Sequence, residues 1–281
     1  MKKNRILDHI VCICNYFWIS SKYLLNKIDI EEIEIETINR CNGTCPFCPV
    51  NVNEPQREYA KMSDELFKKI INDLKEMDYS GKLSLFSNNE PLLDTRIIDF
   101  YKYAHEKLPK ARLSIYTNGS LLNMEKFLDL TKIVDELVID NYNDNDLVNE
   151  HLINIYNEYS SNLSKYNNVF FSMRKQNEVL SSRGGQAPNK QSINKVRHKC
   201  RLLYKQLVIR PTGLVSLCCN DPLGKYTLGD LQKQSIDEIW KSNAYRKVRK
   251  LMYFKGRKAL KLCRSCDTMS PPNKLVKYIK Y

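Results

Sequence analysis

Residues 32–49 read EIEIETINRCNGTCPFCP. The first six alternate isoleucine with glutamate, the two-residue period of a strand with one apolar face. The strand leads into a loop carrying Cys41, Cys45 and Cys48 in the spacing C-x3-C-x2-C, with Phe47 beside the last cysteine. Three thiolates on one loop can hold three corners of a [4Fe–4S] cluster and leave the fourth iron open. An open iron is a catalytic arrangement, since a structural cluster closes all four positions. Zinc is the alternative, but it favours paired C-x2-C motifs that close a tetrahedron, and no fourth ligand lies nearby in sequence.

Outward from this loop, strands alternate with helices. Ser63 is a good N-cap for a helix to Met77 whose apolar face is Leu66, Ile70, Ile71 and Leu74. Residues 82–86 read as a strand, 95–108 as a helix, 112–117 as a strand and 123–132 as a helix. Residues 135–139 read as a strand, 146–165 as a helix and 168–173 as a strand. Strands separated by helices imply parallel βα units. Five units with room for a sixth predict an α/β fold built as an open, partial (β/α)6 TIM-like barrel. A doubly wound sheet is the alternative. Either architecture places chemistry at the C-terminal ends of the strands.

The pattern changes near residue 180. Residues 181–195 are polar and read as a loop. Two short apolar runs flank Pro211-Thr212-Gly213, a hairpin signature, and a helix is predicted over 235–252. The expected organisation is an N-terminal amphipathic helix in 1–29, a barrel in 30–182, and a linker with a small cysteine domain in 183–281.

Cysteine usage fits this division. The chain of 281 residues has 10 cysteines, and none between Cys48 and Cys200. Clustered cysteines in a long chain point to metal binding in a reducing, cytoplasmic compartment rather than to disulfides. Cys200, Cys218 or Cys219, Cys263 and Cys266 supply four ligands for a second site. A zinc site of four cysteines is the alternative there. His9, His105, His151 and His198 form no cluster.

The chain carries a net charge of +13, with 42% hydrophobic and 27% charged residues, which excludes a disordered or fibrous protein. The surplus suits an anionic partner or a solubilising surface. At the N-terminus, Lys2, Lys3 and Arg5 precede an apolar stretch too short to span a membrane, with no small-residue cleavage site after it. Residues 4–25 are predicted to form a helix whose apolar face, Ile6, Ile10, Ile13, Phe17 and Leu24, packs on the body. Membrane contact is the alternative reading.

The C-x3-C-x-aromatic-C loop after a first strand resembles the radical S-adenosylmethionine (SAM) superfamily, over about residues 30–270. That resemblance implies a SAM-binding [4Fe–4S] cluster on Cys41, Cys45 and Cys48, and reductive cleavage of SAM to a 5′-deoxyadenosyl radical that abstracts hydrogen from substrate. It also implies SAM contacts from Phe47, from Asn88, Asn89, Glu90 and Pro91 after the second strand, and from Thr117 and Asn118 after the third. Asp140 and Ser172 end the next two strands as weaker ribose or substrate contacts. The family typically has two glycines where Asn88 and Asn89 stand, and asparagine tolerates a left-handed turn.

Residues 213–221 (GLVSLCCND), 228–230 and 235–240 are similar to the SPASM/twitch extension of these enzymes. Five cysteines allow one auxiliary [4Fe–4S] cluster. The spacing 200–218–263–266 resembles twitch dehydrogenases acting on aminocyclitols, which implies Cys218 as ligand, Cys219 free, and Arg183 near the substrate hydroxyl. A guanidinium positions an oxygen better than it removes a proton. The resemblance thus implies oxidation of a small carbohydrate or aminocyclitol alcohol, with the auxiliary cluster as electron acceptor and flavodoxin or ferredoxin as external donor. A phosphate- or nucleotide-bearing substrate would suit the positive charge. The alternatives are an epimerase using Cys219, or Cys12 or Cys14, as hydrogen donor, a peptide-modifying enzyme, and a zinc-stabilised nucleic-acid binder resting on the nine Lys or Arg of residues 241–261. No recognisable nucleic-acid module accompanies that run.

Overall fold

The computed structural model describes residues 5–25, 28–52, 57–190, 196 and 198–269. Lys2, Lys3, the basic C-terminal tail and residues 191–195 of the polar loop lie outside them.

The first strand forms as its alternation predicts: β1 (Glu32–Ile35) buries Ile33 and Ile35 on one face. Four more strands follow, β2 (Lys82–Ser84), β3 (Arg112–Thr117), β4 (Glu136–Tyr142) and β5 (Val169–Arg174), each parallel to its predecessor. The helices between them are α2 (Pro49–Val52), α3 (Asp64–Glu76), α4 (Ile97–Lys107), α5 (Met124–Ile133) and α6 (Ile153–Ser161). Preceding them all is α1 (Arg5–Leu24). Ser63 caps α3 by accepting from Leu66 N at 3.1 Å, as the sequence indicates.

After the polar loop the chain forms β6 (Gln206–Ile209), β7 (Leu214–Ser216) and β8 (Thr227–Asp230). The sheet runs β5-β4-β3-β2-β1-β6-β7-β8 and is open. β6 joins β1 in parallel, so the sixth parallel strand comes from beyond the polar loop and lies beside β1. The expected hairpin turns at Pro211-Thr212-Gly213, where Gly213 takes a φ of 83° and Arg210 N bonds Leu214 O. The hairpin and β8 extend the barrel sheet antiparallel.

The sheet has two unlike faces. Ile33, Ile35, Leu83, Leu85, Leu113, Ile115, Leu137, Ile139, Leu207 and Ile209 pack into the core. The opposite face is mixed, with Val138 and Val208 beside hydrogen-bonded polar groups. Lys82 pairs Glu136 at 2.5 Å, Ser114 donates to Glu136 at 2.9 Å, and Gln206 Nε2 donates to Glu34 at 2.8 Å. An apolar outer face and an inner face that bears polar groups suit a partial barrel with an occupied lumen.

Three expectations change. The helix expected over 146–165 forms only from Ile153, because Asn141 anchors the preceding loop by donating to Leu147 O and accepting from Asn149 N. The helix expected over 235–252 is two helices, α7 (Ile236–Trp240) and α8 (Asn243–Lys255), because Ser242 starts a new one by capping Tyr245 N. A last short helix, α9 (Lys261–Arg264), carries Cys263.

The third change concerns α1. It packs against α8, but through Val11, Asn15 and Ile19, all fully buried. The stripe expected to pack faces solvent instead: Ile10, Ile13, Phe17 and Leu24 are exposed. Amphipathicity marked an apolar stripe, but the protein docks the opposite one, using Asn15 to His198 and the Trp18 ring under Arg201.

Candidate active site between two cysteine sites

The loop after β1 is tightly pinned. Asn39 N bonds Ala60 O, Arg40 Nη2 bonds Arg57 O at 3.0 Å, and Arg40 O receives Glu90 N at 2.9 Å. Cys41, Cys45 and Cys48 sit on it, each half-buried. Gly43 N points at Cys41 Sγ at 3.4 Å, and a Cβ on Gly43 would lie 3.5 Å and 3.6 Å from the sulfurs of Cys41 and Cys45. The loop backbone therefore sits close to the sulfurs. Burial, with nearby Glu90 and thiols, pushes the Cys41 thiol up to about 12, so a cationic group is needed to hold that sulfur as a thiolate. Among the described residues no three ligating side chains converge on one ion. A cubane spreads its irons over separate corners, and three thiols on one exposed-edge loop fit it.

Glu90 joins the rim segments. Its buried carboxylate accepts from Leu92 N at 3.1 Å, Thr117 Oγ1 at 2.7 Å and Asn118 N at 2.8 Å. Asn118 Nδ2 then donates to Asn42 on the cysteine loop at 2.9 Å. Glu90, Pro91, Thr117 and Asn118 are thus brought together beside the cysteines. The turn before them does not use left-handed asparagine, since neither Asn88 nor Asn89 has positive φ. Asn89 instead accepts from Ser87 N at 3.0 Å, and Asn88 N donates to Glu36 at 2.8 Å. Glu90→Gln puts an amide donor where three donors converge. Its expected effect is a loss of about 1–3 kcal/mol in thermal unfolding, together with weaker SAM retention in equilibrium dialysis.

On the far side of the loop, Phe47 is buried with its ring 5.9 Å from Tyr142. Arg174 lies over Tyr142 at 5.7 Å and 3.7 Å from Asp140, and Ser172 bonds Asp140. Burial raises the Asp140 carboxyl despite Arg174, and Asp140 and Arg174 also act on the Cys45 thiol. Asp140 and Arg174, near the ends of β4 and β5, therefore lie by the cysteine loop, and Ser172 is brought to Asp140.

Cys200, Cys218, Cys263 and Cys266 are buried and line one small cavity with Leu202, Leu203, Asn220, Arg257, Leu262 and Thr268. Burial, then repulsion from the adjacent Cys219 and from the other three sulfurs, pushes the Cys218 thiol well up. Four thiols enclosed by apolar walls fit a fully ligated cluster. Arg257 braces the cavity by donating to His198 O at 3.1 Å and Thr268 O at 2.8 Å, and Arg249 is buried against Leu203 O and Trp240 O. Two cations of the basic run at 241–261 are thus internal braces.

Cys219 points elsewhere. Glu34 and Arg183 are the charges that act on it most strongly, then Glu32 and the Cys266 thiol; its backbone N donates to Gln206 Oε1 at 3.3 Å, and burial pushes its thiol up. Arg183 has a φ of 48° and is followed by two left-handed glycines, Gly184 and Gly185. A non-glycine in that region is strained and persists only where its surroundings hold it. Here its guanidinium donates to Asn88 Oδ1. Cys12 and Cys14 lie instead by Lys199 and Arg201.

Sequence reasoning missed Glu34 and Gln206. Glu34 is half-buried on the polar face, receiving Gln206 Nε2 at 2.8 Å and Ser87 Oγ at 2.5 Å. Its neighbour Glu36 is tied to Arg57 at 3.4 Å and Glu32 to Lys205 at 3.0 Å, whereas the hydrogen-bond partners of Glu34 are neutral. Burial pushes its carboxyl from 4.5 up to about 7. The folded chain therefore holds this proton more tightly than the unfolded chain. The stability it contributes is complete below about pH 4.5 and is lost as pH rises through about 7. Glu34→Gln should leave Tm nearly unchanged at pH 4.5 and raise it at pH 8, through a stabilisation of at most about 3 kcal/mol. Thermal scans of both proteins at the two pH values check this.

Residues 35–147 match the Radical SAM superfamily, and residues 200–267 match SPASM, an iron-sulfur cluster-binding domain. The S-adenosyl-L-methionine-dependent 2-deoxy-scyllo-inosamine dehydrogenase of Niallia circulans is 29% identical over 244 residues, which are 85% of this chain and 93% of that protein. The crystal structure of BtrN in complex with AdoMet and 2-DOIA is similar at a TM-score of 0.74 and 26% identity, covering 86% of this chain and 94% of BtrN. Native anSMEcpe with bound AdoMet shares the fold at a TM-score of 0.54 and 14% identity, over 84% of this chain and 89% of its own.

Proposed function

The chain is a radical SAM iron–sulfur enzyme with a SPASM cluster-binding domain, and from that premise we propose that it oxidises a secondary alcohol of an aminocyclitol or related carbohydrate to a ketone. The observation that carries this reading is the grouping of Arg183, Glu34, Gln206 and Cys219, with the cysteine loop reached through Asn88 and Glu36 and the second cysteine site beside Cys219. When bound, the first cluster and SAM supply a 5′-deoxyadenosyl radical, and the auxiliary cluster supplies an electron acceptor. Cys41, Cys45 and Cys48 hold the first, and Cys200, Cys218, Cys263 and Cys266 the second. Phe47, Asn88, Asn89, Glu90, Pro91, Thr117, Asn118, Asp140 and Ser172 shape the SAM side.

Arg183 orients the substrate oxygen through its guanidinium, whose strained backbone fixes the angle of approach. Glu34, with a carboxyl near neutrality, accepts the hydroxyl proton that must leave on oxidation. Gln206 and Ser87 keep that carboxylate aimed inward. The similarity in sequence to a 2-deoxy-scyllo-inosamine dehydrogenase and in structure to BtrN supports this substrate class. A flavodoxin- or ferredoxin-type donor and a cytoplasmic setting belong to the same proposal.

The test is anaerobic turnover of reconstituted enzyme with a panel of aminocyclitols. Ketone and 5′-deoxyadenosine forming one to one support the reading. A second reading, epimerisation, is favoured by one observation: Cys219 presents an uncharged thiol beside Arg183 and Glu34. Alcohol returned with inverted configuration, and lost in Cys219→Ala, would select it.

A further inference from the structure

The outward stripe of α1 is used by nothing described above, and α1 lies outside both family matches. Ile10, Ile13, Phe17 and Leu24 are 43%, 54%, 67% and 69% exposed. At 3.6 residues per turn they lie on one side of the helix. Val11, Asn15 and Ile19, on the opposite side, are fully buried. The helix is therefore fixed to the body by one face and apolar on the other. Its only charged residues are Arg5, Asp8 and Lys22. Further apolar surface lies nearby: Tyr16, edge-on to Phe17 at 5.7 Å, is 50% exposed, and Phe254, which follows Tyr253 and packs edge-on to it at 4.9 Å, is 66% exposed. Large apolar side chains gathered on one exposed face mark an interaction surface.

We propose that this face is an interfacial surface that lays the protein on a bilayer containing anionic phospholipid. Charge selects that occupant. The chain carries +13, and cations border the patch: Lys199 lies 4.8 Å from the Tyr16 ring and 4.5 Å from the Tyr253 ring, and Lys250 and Lys255 are exposed on the helix that bears Phe254. A second copy would bring these cations together. It would also meet the stripe with far fewer side chains than the roughly 20–30 residues a side of a stable interface. Aliphatic and aromatic side chains flanked by lysine are instead the composition that seats a helix at the level of lipid headgroups. Among the described residues no helix is long and apolar enough to cross a membrane, so α1 lies on the surface rather than through it.

The experiment is co-sedimentation of the full chain with vesicles of phosphatidylcholine alone and of phosphatidylcholine with one quarter phosphatidylglycerol. Binding to the anionic vesicles, reduced by added salt, is expected. Phe17→Glu and, separately, Ile13→Glu should each weaken partitioning about tenfold or more while leaving the circular dichroism spectrum and SAM cleavage unchanged. Failure of the full chain to bind anionic vesicles overturns the proposal. So does unchanged binding in both variants, and so does a concentration-dependent dimer, without lipid, that Phe17→Glu dissolves. None of these outcomes bears on the oxidation chemistry, which is read separately from product.

Discussion

Cys45→Ala is expected to abolish SAM cleavage while the protein still folds and still binds iron. Cys45 lies on the half-exposed loop after β1, where Cys48 N closes a turn on Cys45 O at 3.0 Å. The loop's anchors are Arg40, Asn39 and Glu90, none of which needs the Cys45 side chain. Removing one thiol of three leaves the first site unable to hold a cubane, while the buried cysteines of the second site are untouched. Iron per reconstituted chain should fall from about eight to about four. SAM cleavage under dithionite should drop by at least about a thousandfold, or about 4 kcal/mol of barrier. Retention of eight irons and activity would remove Cys45 from the first site.

The second large effect separates two neighbouring residues. Cys218 lines the small cavity together with Cys200, Cys263 and Cys266, whereas the charges acting most strongly on Cys219 are Glu34 and Arg183. Cys218→Ala should lose about four irons, keep SAM cleavage, and form ketone at least about tenfold more slowly, because the substrate radical has no nearby acceptor. Cys219→Ala should keep all eight irons and change turnover of substrate only. Iron and sulfide analysis, with deoxyadenosine and ketone counted in parallel, distinguishes them. The reverse pattern would make Cys219 the ligand.

Much of this was legible in the chain because two periodicities were clean. The Ile/Glu alternation of β1 and the helical spacing of Leu66, Ile70, Ile71 and Leu74 fixed an α/β order. The C-x3-C-x2-C spacing then located the chemistry. What was not legible depends on which face meets which. In β1 the glutamates looked like the ordinary solvent face of a half-buried strand. In the folded chain they line the lumen, and only β6, arriving from a segment some 170 residues later, gives Glu34 its partner Gln206. In α1 the apolar stripe was visible, but docking is decided by Asn15, His198, Trp18 and Arg201, whose contacts no pattern on the helix alone reveals. The break at Ser242 was hidden because serine serves as a cap or as an ordinary helical residue, and tertiary packing chooses. Arg183 was marked by resemblance alone, and its left-handed backbone is the local feature that sets it apart.

In the proposed reaction one alcohol carbon loses its hydrogen to the SAM-derived radical and leaves as a ketone. The most direct measurement uses an aminocyclitol deuterated at the carbinol carbon, incubated anaerobically with reconstituted enzyme, SAM and reductant. Deuterium is expected in 5′-deoxyadenosine, with one ketone for each deoxyadenosine formed. Deuterated 5′-deoxyadenosine accompanied by alcohol that has regained hydrogen from solvent, with no ketone, would contradict it.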